Sequence, residues 1–175
     1  MTPLANTTNT LLALGTVGIQ LTTLFLVVML ITKDTGRVAL WFKDKALLLV
    51  VLTMGGSMVA SLFYSEVIGY LPCLLCWFQR IPIYGIAIIG TIAMIKRHGV
   101  QVWDYIGTLS VLGLIVAMIH VFSRFTQSEI FNCSASGPSC LQELFLKFGY
   151  IDIPVMSFSA LLFVVMLTLN RKRLS

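Results

Sequence analysis

The sequence has few charged residues: only 11% are Asp, Glu, Lys or Arg, while 58% are hydrophobic. Ordinary soluble domains carry about a quarter of charged residues, so soluble enzymes and soluble binding domains are excluded. A bilayer core about 30 Å thick takes roughly 20 apolar residues per helix. We therefore predict an all-α membrane protein with five spans, at Leu11–Ile31, Ala46–Leu71, Trp77–Ile95, Tyr105–Phe122 and Val155–Leu169.

The first ten residues contain no Lys or Arg, and no small-residue cleavage site follows the first apolar run. A secretory signal peptide needs both a positively charged start and such a site. We therefore expect the first run to remain in place as a membrane helix.

No single basic surface emerges from the sequence, although the chain has a formal net charge of +5. With alternating crossings, one side of the membrane receives nine basic and three acidic residues, and the other receives three basic and four acidic residues. Because Lys and Arg accumulate on the cytoplasmic side, we expect the N-terminus outside and the C-terminus inside. The basic residues are spread over three short membrane-flanking segments, one of them a predicted inner loop with Lys33, Arg37, Lys43 and Lys45. This distribution indicates topology and excludes nucleic-acid binding.

The chain has only four cysteines, in two close pairs: Cys73 with Cys76, and Cys133 with Cys140. The predicted topology puts both pairs on the outer side, where disulfides persist. Two such pairs suggest two dithiol/disulfide couples. The alternative is structural, because buried cysteines also pack as small apolar residues.

The first pair lies at the boundary between two apolar runs, directly after Pro72. Proline is favoured at the first position of a helix, and a helix that begins near Pro72 places Cys73, Cys76 and Arg80 on one face. Thiols in a first helical turn lie at the positive end of the helix dipole, which favours the reactive thiolate. The spacing therefore predicts a redox-active pair.

The second pair lies in a turn-rich run that contains Gly137 and Pro138, a strong loop signal. Closing so short a loop with a disulfide contributes only about 2.5 kcal/mol, and an exposed disulfide of this kind exchanges readily. The residues that follow predict a short amphipathic helix, either in the outer interface or packed over the bundle, because apolar side chains alternate there with polar ones: Leu141, Leu144, Phe145, Phe148 and Ile151.

Arg80 has two possible roles, because it lies about two turns into the third predicted span. Its side chain either extends to the lipid headgroups or belongs to a functional site, as ionisable residues within spans often do. In the second case its planar fork would bond a quinone oxygen or stabilise a thiolate at Cys76.

The run from Pro72 to Pro82, Pro-Cys-Leu-Leu-Cys-Trp-Phe-Gln-Arg-Ile-Pro, resembles the signature of the DsbB/BdbC family of bacterial disulfide bond formation proteins. The second pair in an outer loop, and Ile153-Pro154 with Ser157 at the last span, also match that family. The resemblance covers about Ala46 to Leu169. It implies an N-terminal helix and cytoplasmic loop at residues 1–45 and a four-helix transmembrane domain at residues 46–175.

The resemblance also implies roles for individual residues on the membrane side. Cys73 and Cys76 would be the couple that reduces a quinone, either ubiquinone or menaquinone. Arg80 would be the arginine beside the quinone, and Gln79 and Trp77 would be further residues of the quinone site.

On the soluble side, Cys133 and Cys140 would exchange with a thioredoxin-like thiol oxidase, soluble or lipid-anchored and similar to DsbA or BdbD. The protein would lie in the bacterial plasma (inner) membrane. Two features depart from the family pattern: the family has four spans with the N-terminus inside, and the spacing of Cys133 and Cys140 is short, as in the BdbC branch.

Two other classes remain as alternatives. A vitamin K epoxide reductase-like quinone reductase uses similar parts, but its loop cysteines precede the Cys-x-x-Cys pair. A non-enzymatic protein could use the four thiols for a soft metal, although no Met or His cluster lies near them. A c-type haem site is excluded because Trp77, and not His, follows Cys76. We interpret His120, within an apolar span, as a packing histidine.

Overall fold

The structure is a computed structural model that describes residues 3–33, 35–96, 101–128, 138–142 and 144–174. These residues form five helices, and the predicted all-α class is confirmed. All five are long and apolar enough to cross a membrane. Their bounds are α1 Pro3–Thr32, α2 Arg37–Leu62, α3 Leu74–Lys96, α4 Val102–Thr126 and α5 Ile153–Leu174, with a π-helical turn, Phe63–Val67, continuing α2.

The last helix, α5, is the centre of the bundle. It packs against α1, α2 and α4, and 61% of its most apolar stretch is buried, against 17–39% for the other helices. Asp152 caps its start, because one carboxylate oxygen accepts the Val155 N–H at 3.0 Å. We call the end of the bundle near Asp152 and the start of α3 the cysteine end, and the opposite end the basic end.

The predicted inner loop is shorter than expected. Lys43 and Lys45 belong to α2, which begins at Arg37, so the connection between the first two helices is confined to residues 33–36. The Lys43 ammonium donates to the Leu174 carbonyl at 2.6 Å. Long basic side chains can thus extend a membrane helix beyond its apolar stretch, because their charged heads find polar partners near its end.

The predicted amphipathic helix after Cys140 is wrong for the part of this segment that the structure describes. The chain makes a tight turn instead, with Lys147 and Ile151 paired through two backbone hydrogen bonds of 2.9 Å. Phe148 and Gly149 have positive φ angles of 51° and 78°, which an α-helix does not allow. The apolar pattern is also compatible with the turn, in which Phe145 and Ile151 are buried.

Helix α3 contains a proline and packs closely against α4. Pro82 lies inside α3, and a Cβ atom added to Gly113 of α4 would be 2.7 Å from the Pro82 ring. Only glycine allows this approach. The contact fixes α3, which carries the Cys-x-x-Cys pair, against the helix that carries His120.

Candidate functional site

Cys73 caps the start of α3, which begins at Leu74, two residues after Pro72, near which the sequence predicts the helix start. The Cys73 sulfur accepts the Cys76 N–H at 3.3 Å, in the position where a cap residue satisfies an otherwise unpaired donor. The two sulfur atoms are 2.7 Å apart. Because a disulfide bond measures about 2.05 Å, only a small movement is needed to form or open one.

In the reduced first pair, the negative charge lies mainly on one of the two sulfur atoms. The Cys76 thiol donates a hydrogen bond to the Cys73 sulfur, which lowers the pKa of Cys73 below the ordinary value of a thiol. Burial opposes this effect, and the nearby His120 ring adds to it. Cys73 is therefore the thiolate of the reduced pair, as the sequence predicts for a thiol at a helix start.

His120 lies beside Cys73, although its place in an apolar span predicts a packing role alone. Its ring is 2% exposed, and its Nδ1 atom is 3.0 Å from the Gln79 amide nitrogen. Since an amide nitrogen only donates, Nδ1 accepts and the ring proton lies on Nε2. This Nε2 atom is 3.2 Å from the Cys140 carbonyl oxygen and 3.9 Å from the Cys73 sulfur. One tautomer therefore satisfies the histidine, and its N–H is shared between the two cysteine segments.

Cys140 meets the first pair at this histidine. Its side chain is buried and disulfide-bonded, while its predicted partner, Cys133, lies outside the described residues. The Cys73 sulfur, the Cys140 sulfur and a ring nitrogen of His120 all lie within 4.8 Å of one another. A disulfide-bonded sulfur is not a thiolate ligand, so this trio can bind a soft metal only after Cys140 is reduced.

A buried ion pair holds the Cys140 segment in place. Arg124 of α4 contacts Asp152 at 3.1 Å, and both side chains are only 10% exposed. The same guanidinium donates to the Leu141 carbonyl at 3.0 Å. Because Asp152 also caps α5, one network fixes the Cys140 segment to two helices.

A larger cavity, of about 290 Å³, lies on the other side of Cys76. Helices α1, α2, α3 and α5 all contribute to its walls, and Cys76, Gln79 and Arg80 line it from α3. Cys73 does not line this cavity; it lines a small one of about 40 Å³, together with His120, Cys140 and Cys76. Cys76 is thus common to both cavities.

Arg80 is held at the large cavity by protein groups. Its guanidinium donates to the Ser61 hydroxyl at 2.9 Å and to the Ser61 carbonyl at 3.1 Å. It also stacks over the Trp77 ring, 5.0 Å from the ring centre. Trp77 itself is 56% exposed and does not line the cavity, so its contact with the site runs through Arg80.

Comparison with known proteins identifies the family. The sequence model of "Disulfide bond formation protein DsbB" matches residues 43–169. The chain belongs to the DsbB family. The matched residues contain both cysteine pairs and helices α3 and α4, whereas α1 lies before them. The family supports disulfide oxidoreductase activity at the membrane.

Relatives within this disulfide-forming group are moderately similar. The SPbeta prophage-derived disulfide bond formation protein B of Bacillus subtilis is 40% identical over 117 residues, which covers 67% of this chain and 78% of the relative. A probable disulfide formation protein of Metapseudomonas resinovorans is 34% identical over 130 residues, or 73% of this chain and 90% of the relative. No solved structure shows significant similarity.

Two residues of the site are not found by sequence reasoning. Ser61 is one of many hydroxyl residues in apolar runs, and nothing in its spacing sets it apart. His120 does carry a signal, since an ionisable residue within a membrane span is a functional candidate by default. Its place relative to the cysteines follows only from the packing of α3 against α4.

Proposed function

We propose that the protein reoxidises a thioredoxin-like dithiol oxidase outside the cytoplasm and passes the electrons to a membrane quinone. The observation that supports this most directly is the position of Cys76, which lines both the small cavity with Cys140 and the large cavity with Arg80. A disulfide between these cavities can take electrons from the reduced loop pair, and the dithiol that results can deliver them to an apolar site.

The large cavity fits a quinone in size and chemistry. Its volume of about 290 Å³ is close to the lower end, about 300 Å³, of small-molecule sites. Most of its lining is apolar, and Arg80 brings a charged hydrogen-bond donor beside Cys76. A quinone bound there supplies an acceptor for two electrons and two protons. Arg80 would hold one of its oxygens, and Gln79 and the tyrosines Tyr64 and Tyr70 would border its ring.

The distances at the small cavity support an order of exchange between the two pairs. Once the partner dithiol has reduced the loop disulfide, Cys140, within 4.8 Å of Cys73, is the loop cysteine that attacks the Cys73 sulfur of the oxidised first pair. A bond between Cys140 and Cys73 forms as the bond between Cys73 and Cys76 breaks, and Cys76 leaves as a thiolate. Cys133 then displaces Cys73, which leaves the first pair fully reduced. Cys133 is therefore the loop cysteine that we assign to the external partner.

The net reaction balances two electrons and two protons. The partner dithiol becomes a disulfide, and the quinone becomes a quinol. His120 Nε2–H, near both Cys73 and the Cys140 carbonyl, holds a proton where thiolates form and disappear during exchange.

We further propose that the cysteine end faces the outside of a bacterial plasma (inner) membrane, with the C-terminus in the cytoplasm. The distribution of Lys and Arg between the two ends supports this orientation. A membrane-impermeant thiol reagent, added to intact cells after mild reduction, should label Cys133 or Cys140. Labelling that requires access to the inner face would contradict the orientation.

The function is tested with purified protein, a reduced thioredoxin-like protein and a short-chain quinone. We expect quinone absorbance to fall only when all three are present, in proportion to the partner disulfide formed. When Cys140→Ser is instead mixed with the disulfide form of the partner, the Cys133 thiolate should open that disulfide, and the mixed disulfide should accumulate because no Cys140 thiol is present to displace the partner. Quinone reduction that proceeds equally well without the partner would contradict the proposal.

A further inference from the structure

Helix α1 contacts α2 near their connecting loop and contacts the π-helical turn after α2 near the cysteine end. Near their connecting loop, the rings of Phe25 and Phe42 are 6.0 Å apart. Near the cysteine end, the Tyr64 hydroxyl donates to the Asn9 side-chain oxygen at 2.8 Å. Between these contacts, both helices line the large cavity. The cavity wall on this side is therefore made of two helices, with one of these contacts at either end of it.

Two glycines lie on this wall, one from each helix. Gly15 of α1 and Gly56 of α2 both line the cavity, and both are exposed. A Cβ atom added to either one would have nothing within 4 Å. Helical glycine costs about 0.5–1 kcal/mol relative to alanine, and no close helix contact requires it at these positions. Because these glycines have no side chains, they leave a gap between α1 and α2 at the middle of the wall.

Helix α1 is a fixed part of the bundle and not a loosely attached segment. The Gln20 amide donates to the Ser159 hydroxyl at 3.0 Å, and the Asn170 amide donates to the Leu26 carbonyl at 3.1 Å. Arg173 donates to the Met29 carbonyl at 2.8 Å, which satisfies a carbonyl of the last helical turn. The gap beside α2 thus has a defined edge.

We propose that this gap is a lateral portal through which the isoprenoid tail of a membrane quinone passes, and that α1 shapes the passage. This inference rests on the proposed function. The head of such a molecule belongs at the polar end of the cavity, beside Cys76 and Arg80, so its apolar tail needs an exit to the bilayer. The gap at Gly15 and Gly56 is such an exit, with exposed apolar side chains around it, including Leu11, Leu14 and Leu52.

Helix α1, which lies before the residues matched by the family, therefore contributes to binding of the quinone tail. The residues matched by the family begin at 43, whereas Leu12, Gly15, Thr16 and Ile19 of α1 all line the cavity. Without α1, the cavity would lose this wall and become a groove open to lipid. With α1, the tail is confined to one path. The protein can then discriminate between quinones by the size of the tail next to the head group.

The test narrows the portal from either side. Gly15→Leu and Gly56→Leu place a side chain in the gap, while Gly18→Leu and Gly55→Leu add the same side chain at glycines that also have open space but do not line the cavity. We expect the first two variants to raise the KM for a long-tailed quinone about tenfold or more, and that for a tail-less quinone less than about threefold. The two control variants should match the unaltered protein.

Binding is measured separately from turnover, in a Cys76→Ser background that cannot complete the redox reaction. Quenching of tryptophan fluorescence reports the affinity for both quinones, and the portal variants should lose affinity only for the long-tailed one. Equal losses for both quinones, or losses as large in Gly18→Leu and Gly55→Leu, would overturn the portal. If the unaltered protein binds quinones with this tail dependence but never reduces them, the proposed function fails while the portal stands. Should one portal variant not fold, the variant on the opposite helix tests the same gap.

Discussion

Cys73 and Cys76 have very different surroundings, although their sulfur atoms are 2.7 Å apart. Cys73 faces a small, enclosed space with a histidine and the second cysteine segment. Cys76 also borders a large, mostly apolar cavity with one arginine. One side suits thiol exchange, in which protons must be held and released, and the other suits a lipid-soluble acceptor. We therefore expect the pair to join two half-reactions, which single substitutions should separate.

The strongest test of this comparison removes the sulfur common to both cavities. We expect Cys76→Ser to reduce steady-state turnover to background, because no dithiol remains for the acceptor. The Cys73 thiolate should then attack Cys140, whose sulfur lies within 4.8 Å, and form a disulfide with it as the bond from Cys140 to its predicted partner Cys133 breaks and Cys133 leaves as a thiol. Mass spectrometry of digested, alkylated protein would detect this bond.

Cys73→Ser is the matched control, because it also removes turnover but cannot form the bond to Cys140. Sustained turnover in Cys76→Ser, or a disulfide from Cys140 to another cysteine in its place, would show that the two segments do not meet as described.

Substitutions of His120 test the thiol exchange between the two cysteine pairs. In His120→Ala we expect transfer between the loop pair and Cys73 to slow by about a hundredfold, the lower end of the range for a positioned acid or base. The KM for quinone should change far less than the exchange rate, because His120 does not line the large cavity and is linked to it only through its hydrogen bond with Gln79. Acid quenching at short times, followed by alkylation, would give the single-turnover rate.

His120→Gln separates a hydrogen-bonding role from a purely structural one. Glutamine can still donate to the Cys140 carbonyl but cannot exchange a proton in the same way, so partial recovery of the rate is expected. A rise in quinone KM equal to the fall in exchange rate would instead indicate a general loss of structure.

The sequence predicts the helices and the chemistry better than it predicts how the two cysteine pairs meet. The five spans follow from long apolar runs, and the redox pair follows from Cys73, Cys76 and the helix start. The turn at Lys147–Ile151 is missed, because alternating apolar residues suit a tight turn as well as a short helix. The position of His120 between Gln79 and Cys140 is missed for another reason. It depends on the distance between α3 and α4, which is set by the contact of Pro82 with Gly113.

Substitutions of Arg80 test the reaction with quinone separately from thiol exchange. Arg80→Lys keeps the charge but loses the planar fork that now bonds both the hydroxyl and the carbonyl of Ser61. One lost charge-assisted hydrogen bond of about 1.5–3 kcal/mol should raise the quinone KM roughly ten- to hundredfold. Quinone kinetics measured at saturating partner concentration would show this.

The exchange between the loop pair and Cys73 should be unaffected in Arg80→Lys in a single turnover without quinone. An unchanged KM in both Arg80→Lys and Arg80→Ala would assign the side chain to the lipid interface, and the comparison between the two cavities would lose its charged element.

The smallest expected effect concerns the charge of the reduced pair. Because the hydrogen bond from Cys76 lowers the pKa of Cys73, its thiolate should persist below the pH at which an ordinary thiol, with a pKa of about 8.5, is protonated. A lowered pKa stabilises the reduced, folded protein most above the pKa of the unfolded thiol, and this stability is lost as pH falls through the folded pKa. Thiolate absorbance near 240 nm, followed from neutral to acidic pH with Cys73→Ser as the blank, measures the titration.

Cys76→Ala should move the midpoint upward more than His120→Ala does, because the Cys76 bond is the larger cause and the histidine the smaller one. The reverse order would make His120, and not the neighbouring thiol, the group that sets which sulfur of the pair carries the charge.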